Sequence, residues 1–183
     1  MNTARSFKLL RQLGAENIGR EARSQTGDHS AVKLWLRLLS CSTQIEQEIR
    51  TRLRQRFATT LPRFDYLAQL ERHPEGLRMN ALSRYLMVTG GNVTGLTDQL
   101  AAEGHVERLP DPLDRRSLLV RLTPAGREHF LRMAAEHEAW LVDLFEGFDP
   151  TAQHALFETL GRLRVHLVAK TDQSAAAANK DIR

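Results

Sequence analysis

The sequence predicts a mainly α-helical protein that carries one small β-hairpin, and three observations lead to this prediction. Apolar residues recur three and four positions apart over long stretches in both halves of the 183-residue chain. Aromatic residues make up only 6% of the composition, so the core must be built mainly from Leu, Val, Met and Ala in a leucine-rich chain, a composition that favours helices. Between residues 106 and 122 the pattern changes to two short, partly alternating stretches around a turn rich in proline and aspartate.

The first long helix is predicted to begin at Asp28 or Ser30, because either side chain can cap a helix N-terminus. It ends before Pro62, which stops this helix or starts the next. A second helix follows over residues 64–70 and ends near residues 73–76, where proline and glycine interrupt the pattern.

Two short helical segments come next, over residues 77–88 and 90–106. The hairpin strands are predicted over residues 106–109 and 117–122, with a Pro-Asp-Pro-Leu-Asp turn between them. The central block is therefore three short helices followed by a hairpin.

Two long helices end the chain, and each begins with a capping residue followed by proline, at Thr123-Pro124 and at Asp149-Pro150. The last helix repeats leucine at a seam-like spacing that requires a partner surface, at Leu156, Leu160, Leu163 and Leu167. Flanking helices of this length cannot pack only on the short central block, so we predict an intertwined homodimer.

The predicted organisation is a single domain between two polar ends. Residues 1–27 form a polar N-terminal extension, and residues 171–183 form a flexible tail. Between them, residues 28–170 contain a central lobe at 61–122 and dimerisation helices at 28–60 and 123–170.

The composition limits the classes of function that are open to this chain. The formal net charge is +4, a balance compatible with nucleic acid but not specific for it. The single cysteine, Cys41, excludes an intrachain disulfide and a cysteine-based zinc site, and its place on the first helix predicts a small core residue. The sequence has no signal peptide and no run of 18 apolar residues, so we expect a cytoplasmic protein without membrane contact.

Three short helices followed by a hairpin are typical of a winged helix-turn-helix, in which one helix enters the major groove of DNA and the hairpin reaches the flanking backbone or minor groove. The groove helix would begin at Thr89. Asn92 can pair with adenine, and Thr94 can offer a methyl group to thymine or a hydroxyl to phosphate. At the hairpin tip, an arginine can enter a narrow minor groove while a nearby aspartate orients its guanidinium group.

Two stretches make the prediction more specific. Residues 106–126, VERLPDPLDRRSLLVRLTPAG, resemble the wing of the MarR family of transcription regulators, whose pattern is D-x-R-x-x-x-V/L-x-L-T-x-x-G. Residues 91–106, GNVTGLTDQLAAEGHV, resemble that family's recognition helix. The resemblance spans residues 30–168, although many members carry bulkier or basic residues at Gly91-Asn92 and Gly95.

The resemblance implies a homodimer that places two recognition helices in successive major grooves of a palindromic site on double-stranded DNA. It makes Arg116 the wing-tip arginine and Asp114 its orienting partner. The DNA-binding residues that it implies are Thr89, Asn92, Thr94, Gly95, Arg84, Asp114, Arg115 and Arg116.

The same resemblance implies a small-molecule effector, favouring an aromatic carboxylate or its coenzyme A thioester. Apolar and aromatic side chains near the junction of the lobe and the dimer helices would line its pocket, with an arginine pairing an anionic group. The candidates are Trp35, Arg37, Leu39, Arg63, Phe64, Leu67 and Met87.

Other chemistry is poorly supported by the sequence. His129 and His137 lie eight residues apart, too far for a pair that chelates a metal from one helix face, so we predict no metal and no cofactor. Motifs of common enzymes are missing. The prediction is therefore a DNA-binding repressor released by an effector, with an activator of the same fold or a winged-helix protein–protein interaction module as alternatives.

Overall fold

The computed structural model describes residues 30–178, except for the side chains of residues 115, 116 and 172–178. The predicted N-terminal extension, the candidate cap Asp28 and residues 179–183 lie outside the described residues. The elements are α1 (Ser30–Phe57), α2 (Leu61–Glu71), β1 (Leu77–Arg78), α3 (Met79–Leu86), α4 (Gly90–Ala102), β2 (Val106–Asp111), β3 (Asp114–Leu122), α5 (Pro124–Phe145) and α6 (Pro150–Ala178). The predicted fold class, mainly helical with a small β wing, is confirmed.

Both predicted proline starts are confirmed by their capping contacts. The hydroxyl of Thr123 accepts a hydrogen bond from the backbone N–H of Gly126 at 2.9 Å, which satisfies one of the free donors at the start of α5. The carboxylate of Asp149 does the same for the N–H of Ala152 at the start of α6, also at 2.9 Å.

The sheet has three strands in the order β1-β3-β2, and both pairs are antiparallel. The prediction of a helix over residues 77–88 is wrong at its first two residues, because Leu77 pairs with Val120 and Arg78 with Leu119. This pairing joins segments about 40 residues apart, and a local pattern of apolar residues cannot reveal it. The hairpin strands are also longer than predicted, so only residues 112 and 113 remain as the turn.

Of the described residues, those from Ser30 to Trp140 form one compact unit, and those from Leu141 to Ala178 form a second. In the first unit, the helices α1 to α5 and the sheet enclose a core of aliphatic side chains. The side chains with at most 1% exposure include Leu53, Leu67, Leu70, Leu82, Val93, Leu100, Val120 and Met133. Each contributes about 1.5–3 kcal/mol by its burial, so this core fixes the position of α4.

In the second unit, none of the described side chains of α6 over residues 150–171 is buried. The helix continues to Ala178, so the prediction of a flexible tail from Thr171 is wrong over residues 171–178. Four consecutive alanines over residues 175–178 explain the extension, because alanine has the highest helix propensity of all residues. Among the helices over residues 30–178, none has the length and apolar character that crossing a membrane requires.

Candidate nucleic-acid interface

The helix α4 has one face in the core and one face in solvent. Val93, Thr97 and Leu100 are fully buried and Leu96 is half-buried, while Asn92, Thr94, Gly95, Asp98 and Gln99 are exposed. Thr89 stands at the N-cap with an extended backbone and is also exposed. The sequence-predicted groove residues of α4 therefore share a solvent-exposed surface.

Side-chain contacts hold α4 along its length. The hydroxyl groups of Tyr66 and Thr97 lie 2.6 Å apart in the core, and Thr97 also donates to the carbonyl of Val93 at 2.7 Å. Burial raises the pKa of Tyr66 above its usual value, because a buried phenolate would lose its hydration. Two ion pairs, Arg108–Asp98 and Arg63–Glu103, fix the C-terminal half. Such contacts hold a binding surface in one geometry, as recognition requires.

Three glycines on α4 have no role in its packing. A Cβ atom built on Gly90, Gly91 or Gly95 would meet no described atom within 4 Å. Glycine in a helix costs about 1 kcal/mol relative to alanine, so these residues destabilise α4 without an internal steric reason. They leave a surface that lets another molecule approach the helix backbone closely.

The hydroxyl of Thr94 donates to the carbonyl of Gly90 at 3.1 Å, within the helix. The sequence suggests either a methyl contact with thymine or a hydroxyl contact with phosphate for this residue. The bond to Gly90 favours the methyl contact, because the hydroxyl proton is already donated within the helix. Arg84 is exposed in the last turn of α3, as a phosphate contact requires.

The hairpin is anchored by a residue that the sequence analysis did not single out. The side chain of Asp111 is 4% exposed and accepts a hydrogen bond from Nε of Arg78 at 2.5 Å. Its other oxygen accepts the backbone N–H of Leu113 at 2.8 Å. The Leu113 N–H and then the Arg78 guanidinium hold the pKa of the Asp111 carboxyl below its usual value. Aspartate at the start of a turn, followed by proline, was the available signal.

The predicted wing-tip pair lies in β3, where Asp114 is exposed. The side chains of Arg115 and Arg116 are outside the described residues, so the Asp114–Arg116 contact stays a prediction.

The candidate effector residues lie in different surroundings. Trp35 is 60% and Met87 93% exposed, whereas Phe64 and Leu67 belong to the core. Arg63 is paired with Glu103. In α1, Arg37 is exposed and Leu39 is half-buried.

A cleft of about 480 Å³ lies elsewhere in the first unit, between the end of α2, the hairpin and the start of α5. Its lining includes Glu71, Glu107, Arg121 and Arg127, and none of the candidate effector residues. The pocket thus stays a prediction.

Two histidines of α5, His129 and His137, pack against other rings. His129 stacks on His105 with ring centroids 4.4 Å apart, and His137 lies 4.7 Å from the ring of Phe64. Among residues 30–178, no three His, Cys, Asp or Glu side chains are placed to hold a metal ion together.

Cys41 is exposed, so the prediction of a core cysteine is wrong. The buried residues of α1 are Ile49 and Leu53, which lie farther along the helix.

A helix presented by α2 and α3 and followed by a two-stranded hairpin defines this lobe as a winged helix-turn-helix. The family model described as "MarR family" matches residues 59–117. The transcriptional activatory protein BadR of Rhodopseudomonas palustris is 36% identical over 99 residues, 53% of this chain and 56% of that protein. The chain thus spans little more than half the length of this relative.

The transcriptional regulator YsmB of Bacillus subtilis is 31% identical over 114 residues, 62% of this chain and 76% of that protein. Among solved structures, the MarR family regulator Sco3205 of Streptomyces coelicolor, in complex with DNA, superposes with a TM-score of 0.64 at 24% identity, over 78% of this chain and 89% of that one. The chain belongs to the MarR family, and the matched proteins are transcriptional regulators rather than enzymes.

Proposed function

We propose that this chain is a dimeric regulator that binds double-stranded DNA, with α4 in the major groove and the hairpin over the flanking backbone or minor groove. The observation that carries the proposal is the exposed face of α4, where Thr89, Asn92, Thr94 and Gly95 lie opposite a fully buried face. The DNA complex of Sco3205, which has the same fold, supports it.

In this mechanism, arginine contacts with phosphate supply affinity, and contacts of α4 with base edges supply sequence preference. Arg84, Arg115 and Arg116 are the proposed cationic contacts, with Asp114 orienting Arg116. Binding must then weaken steeply with salt, because each neutralised phosphate releases counterions.

The regulatory part of the proposal is repression that a small effector relieves, with an aromatic carboxylate or its coenzyme A thioester as the favoured ligand. An effector that prefers the DNA-incompetent state tenfold provides about 1.4 kcal/mol of coupling, and DNA weakens effector binding by the same factor. The name of BadR as a transcriptional activatory protein favours activation as the second candidate. Transcription of the neighbouring genes in a deletion strain distinguishes the two, because loss of a repressor raises it and loss of an activator lowers it.

The test uses Gly95→Ala, because its effects on folding and on DNA binding should be opposite. The new methyl group enters open space and raises helix propensity, so the free energy of unfolding should rise by up to about 1 kcal/mol. The same methyl group stands between α4 and the groove, so affinity for duplexes selected from a random pool should fall, by about tenfold. Fluorescence anisotropy at several salt concentrations measures the affinity.

Gly161→Ala is the matched control, since Gly161 is also a helical glycine whose added Cβ meets no described atom within 4 Å. It should leave DNA affinity unchanged while the protein keeps its native mass. If the wild-type chain selects no duplex and shows no salt-dependent binding, the proposal is wrong and the interaction-module alternative is favoured.

A further inference from the structure

The tip of the hairpin presents a leucine to solvent. Only Pro112 and Leu113 connect β2 to β3, and the side chain of Leu113 is 90% exposed. Leu118, in β3 of the same hairpin, is 48% exposed. The packing of the first unit therefore makes almost no use of the Leu113 side chain, although exposing it to water is unfavourable.

The same leucine is held in place by its backbone. Its N–H donates to one oxygen of Asp111 at 2.8 Å, and the other oxygen of that buried carboxylate is bound by Arg78 at 2.5 Å. Pro112 further restricts the turn, because its ring fixes one backbone dihedral angle. An exposed apolar side chain on a rigid turn is ready for contact without the entropic cost of ordering the loop.

The anchor also connects the tip to the helix-turn-helix. Arg78 belongs to β1, pairs with Leu119 of β3, and is the N-cap residue of α3. The Arg78–Asp111 ion pair therefore ties the turn that carries Leu113 to the start of α3. When α4 lies in a major groove, the position of the tip along the DNA is set as well.

We propose that Leu113 is an apolar wedge that enters the minor groove beside the site of α4 and partly unstacks one base step, with Asp111 and Arg78 as its positioning residues. This inference rests on the proposed DNA-binding function and adds a specificity-determining residue to it. Leucine is among the side chains that insert between base steps in proteins that bend DNA from the minor groove. Pyrimidine–purine steps unstack most easily, so the protein should prefer such a step under each hairpin tip.

The experiment compares Leu113→Ala with the wild-type chain on duplexes that the wild type selects from a random pool. Energy transfer between dyes at the duplex ends measures bending, and 2-aminopurine at the flanking step reports unstacking. Leu113→Ala should reduce bending, lose the 2-aminopurine signal and weaken binding by about tenfold. A second selection with the variant should lose the preference for a pyrimidine–purine step.

Three further variants separate the wedge from a general effect on the hairpin. Leu118→Ala removes an exposed leucine from the same hairpin away from its tip, and should change none of these measurements. Leu113→Met, which keeps a long apolar side chain, should restore bending. Asp111→Asn should behave like Leu113→Ala while the circular dichroism spectrum stays native, because the weaker anchor frees the turn.

Three outcomes would overturn the inference. If Leu113→Ala keeps wild-type bending and the same flanking preference, the tip is not a wedge, whereas salt-dependent binding by the wild type would still support the proposed function. If Leu113→Ala lowers the affinity but leaves both DNA bending and the step preference unchanged, Leu113 contacts only the DNA surface. If the wild type binds no duplex at all, the proposed function fails and the inference fails with it.

Discussion

Gly126 shows how a single residue can fix the junction between the end of α4 and the start of α5. A Cβ atom on Gly126 would lie 1.8 Å from the carbonyl oxygen of His105, a distance that no side chain can occupy. The hydroxyl of Thr123 completes the junction by donating to the carbonyl of Gly104 at 2.7 Å while accepting the Gly126 N–H. The Thr-x-x-Gly spacing after β3 thus has a structural cause.

We predict that Gly126→Ala lowers the free energy of unfolding by about 3 kcal/mol, the upper part of the range for overpacked sites, because the clash is with backbone and cannot be relieved by a rotamer change. Urea denaturation followed by circular dichroism measures the change. Gly95→Ala, where the methyl group has open space, serves as the control and should not destabilise. A loss below about 0.5 kcal/mol for Gly126→Ala, within the range of ordinary surface substitutions, would contradict this view of the junction.

At the scale of elements, His129 and His137 of α5 connect that helix to the start of the hairpin, to α1 and to α2. His129 of α5 stacks on His105 and contacts the ring of Phe57 edge-on, and Glu103 lies 3.8 Å from Nε2 of His105. Burial first, and then the charge of His105, lower the pKa of His129; Arg132 and Arg63 act in the same direction and Glu103 opposes them. Burial alone lowers the pKa of His137.

These shifts predict that the protein loses stability in mild acid. The unfolded chain takes up protons on these histidines near their ordinary pKa of 6.5, whereas the folded chain does so only at lower pH. The stabilisation is therefore complete above pH 6.5 and is lost as the pH falls through the folded-state values. Urea denaturation at pH 7.5 and at pH 5.5 should give a lower free energy of unfolding at pH 5.5.

The control for this prediction is the double variant His129→Gln, His137→Gln. It removes both titrating groups, so the difference in unfolding free energy between the two pH values should shrink, whatever the absolute stability of the variant. An unchanged pH dependence would show that other groups are responsible.

The helices and the hairpin were predictable because their signals are local. Periodicity located α1 to α6, and the Thr-Pro and Asp-Pro sequences located the starts of α5 and α6. The strand β1 was not predictable in this way, because Leu77 and Arg78 are extended only through their pairing with β3. The Arg78–Asp111 ion pair was not predictable for the same reason, because its partners are 33 residues apart in sequence.

The residues of the candidate site also divide into those with a local sequence signal and those that depend on residues distant in sequence. The exposed face of α4 could be predicted from the spacing of Val93 and Leu100, which defines the buried face. The anchored turn at Leu113 was predictable only in part, because Asp111 followed by Pro112 is a local turn signal, whereas its partner Arg78 is 33 residues away in sequence. Effector residues depend on a cavity formed by several segments, and no local pattern defines one.

At the scale of the whole molecule, the apolar surface of α6 requires a partner. Leu156, Phe157, Leu160 and Leu167 are 38% to 74% exposed in the single chain, on a helix without a buried residue among its described side chains. Contiguous exposed apolar surface of this kind marks an interaction site. A second copy of the chain is the proposed partner, since a dimer also supplies the second recognition helix that a palindromic site needs.

We predict that Leu160→Glu converts the dimer into a monomer, because a carboxylate replaces an apolar side chain in the proposed interface. Light scattering after size exclusion should show the mass of one chain, 20.8 kDa, instead of twice that value. Affinity for a two-half-site duplex should fall by at least about 100-fold, because the two lobes then bind independently. Ala155→Glu adds the same charge at an exposed position on another side of α6 and should stay dimeric. A Leu160→Glu variant that remains a dimer with unchanged affinity would show that α6 does not form the interface.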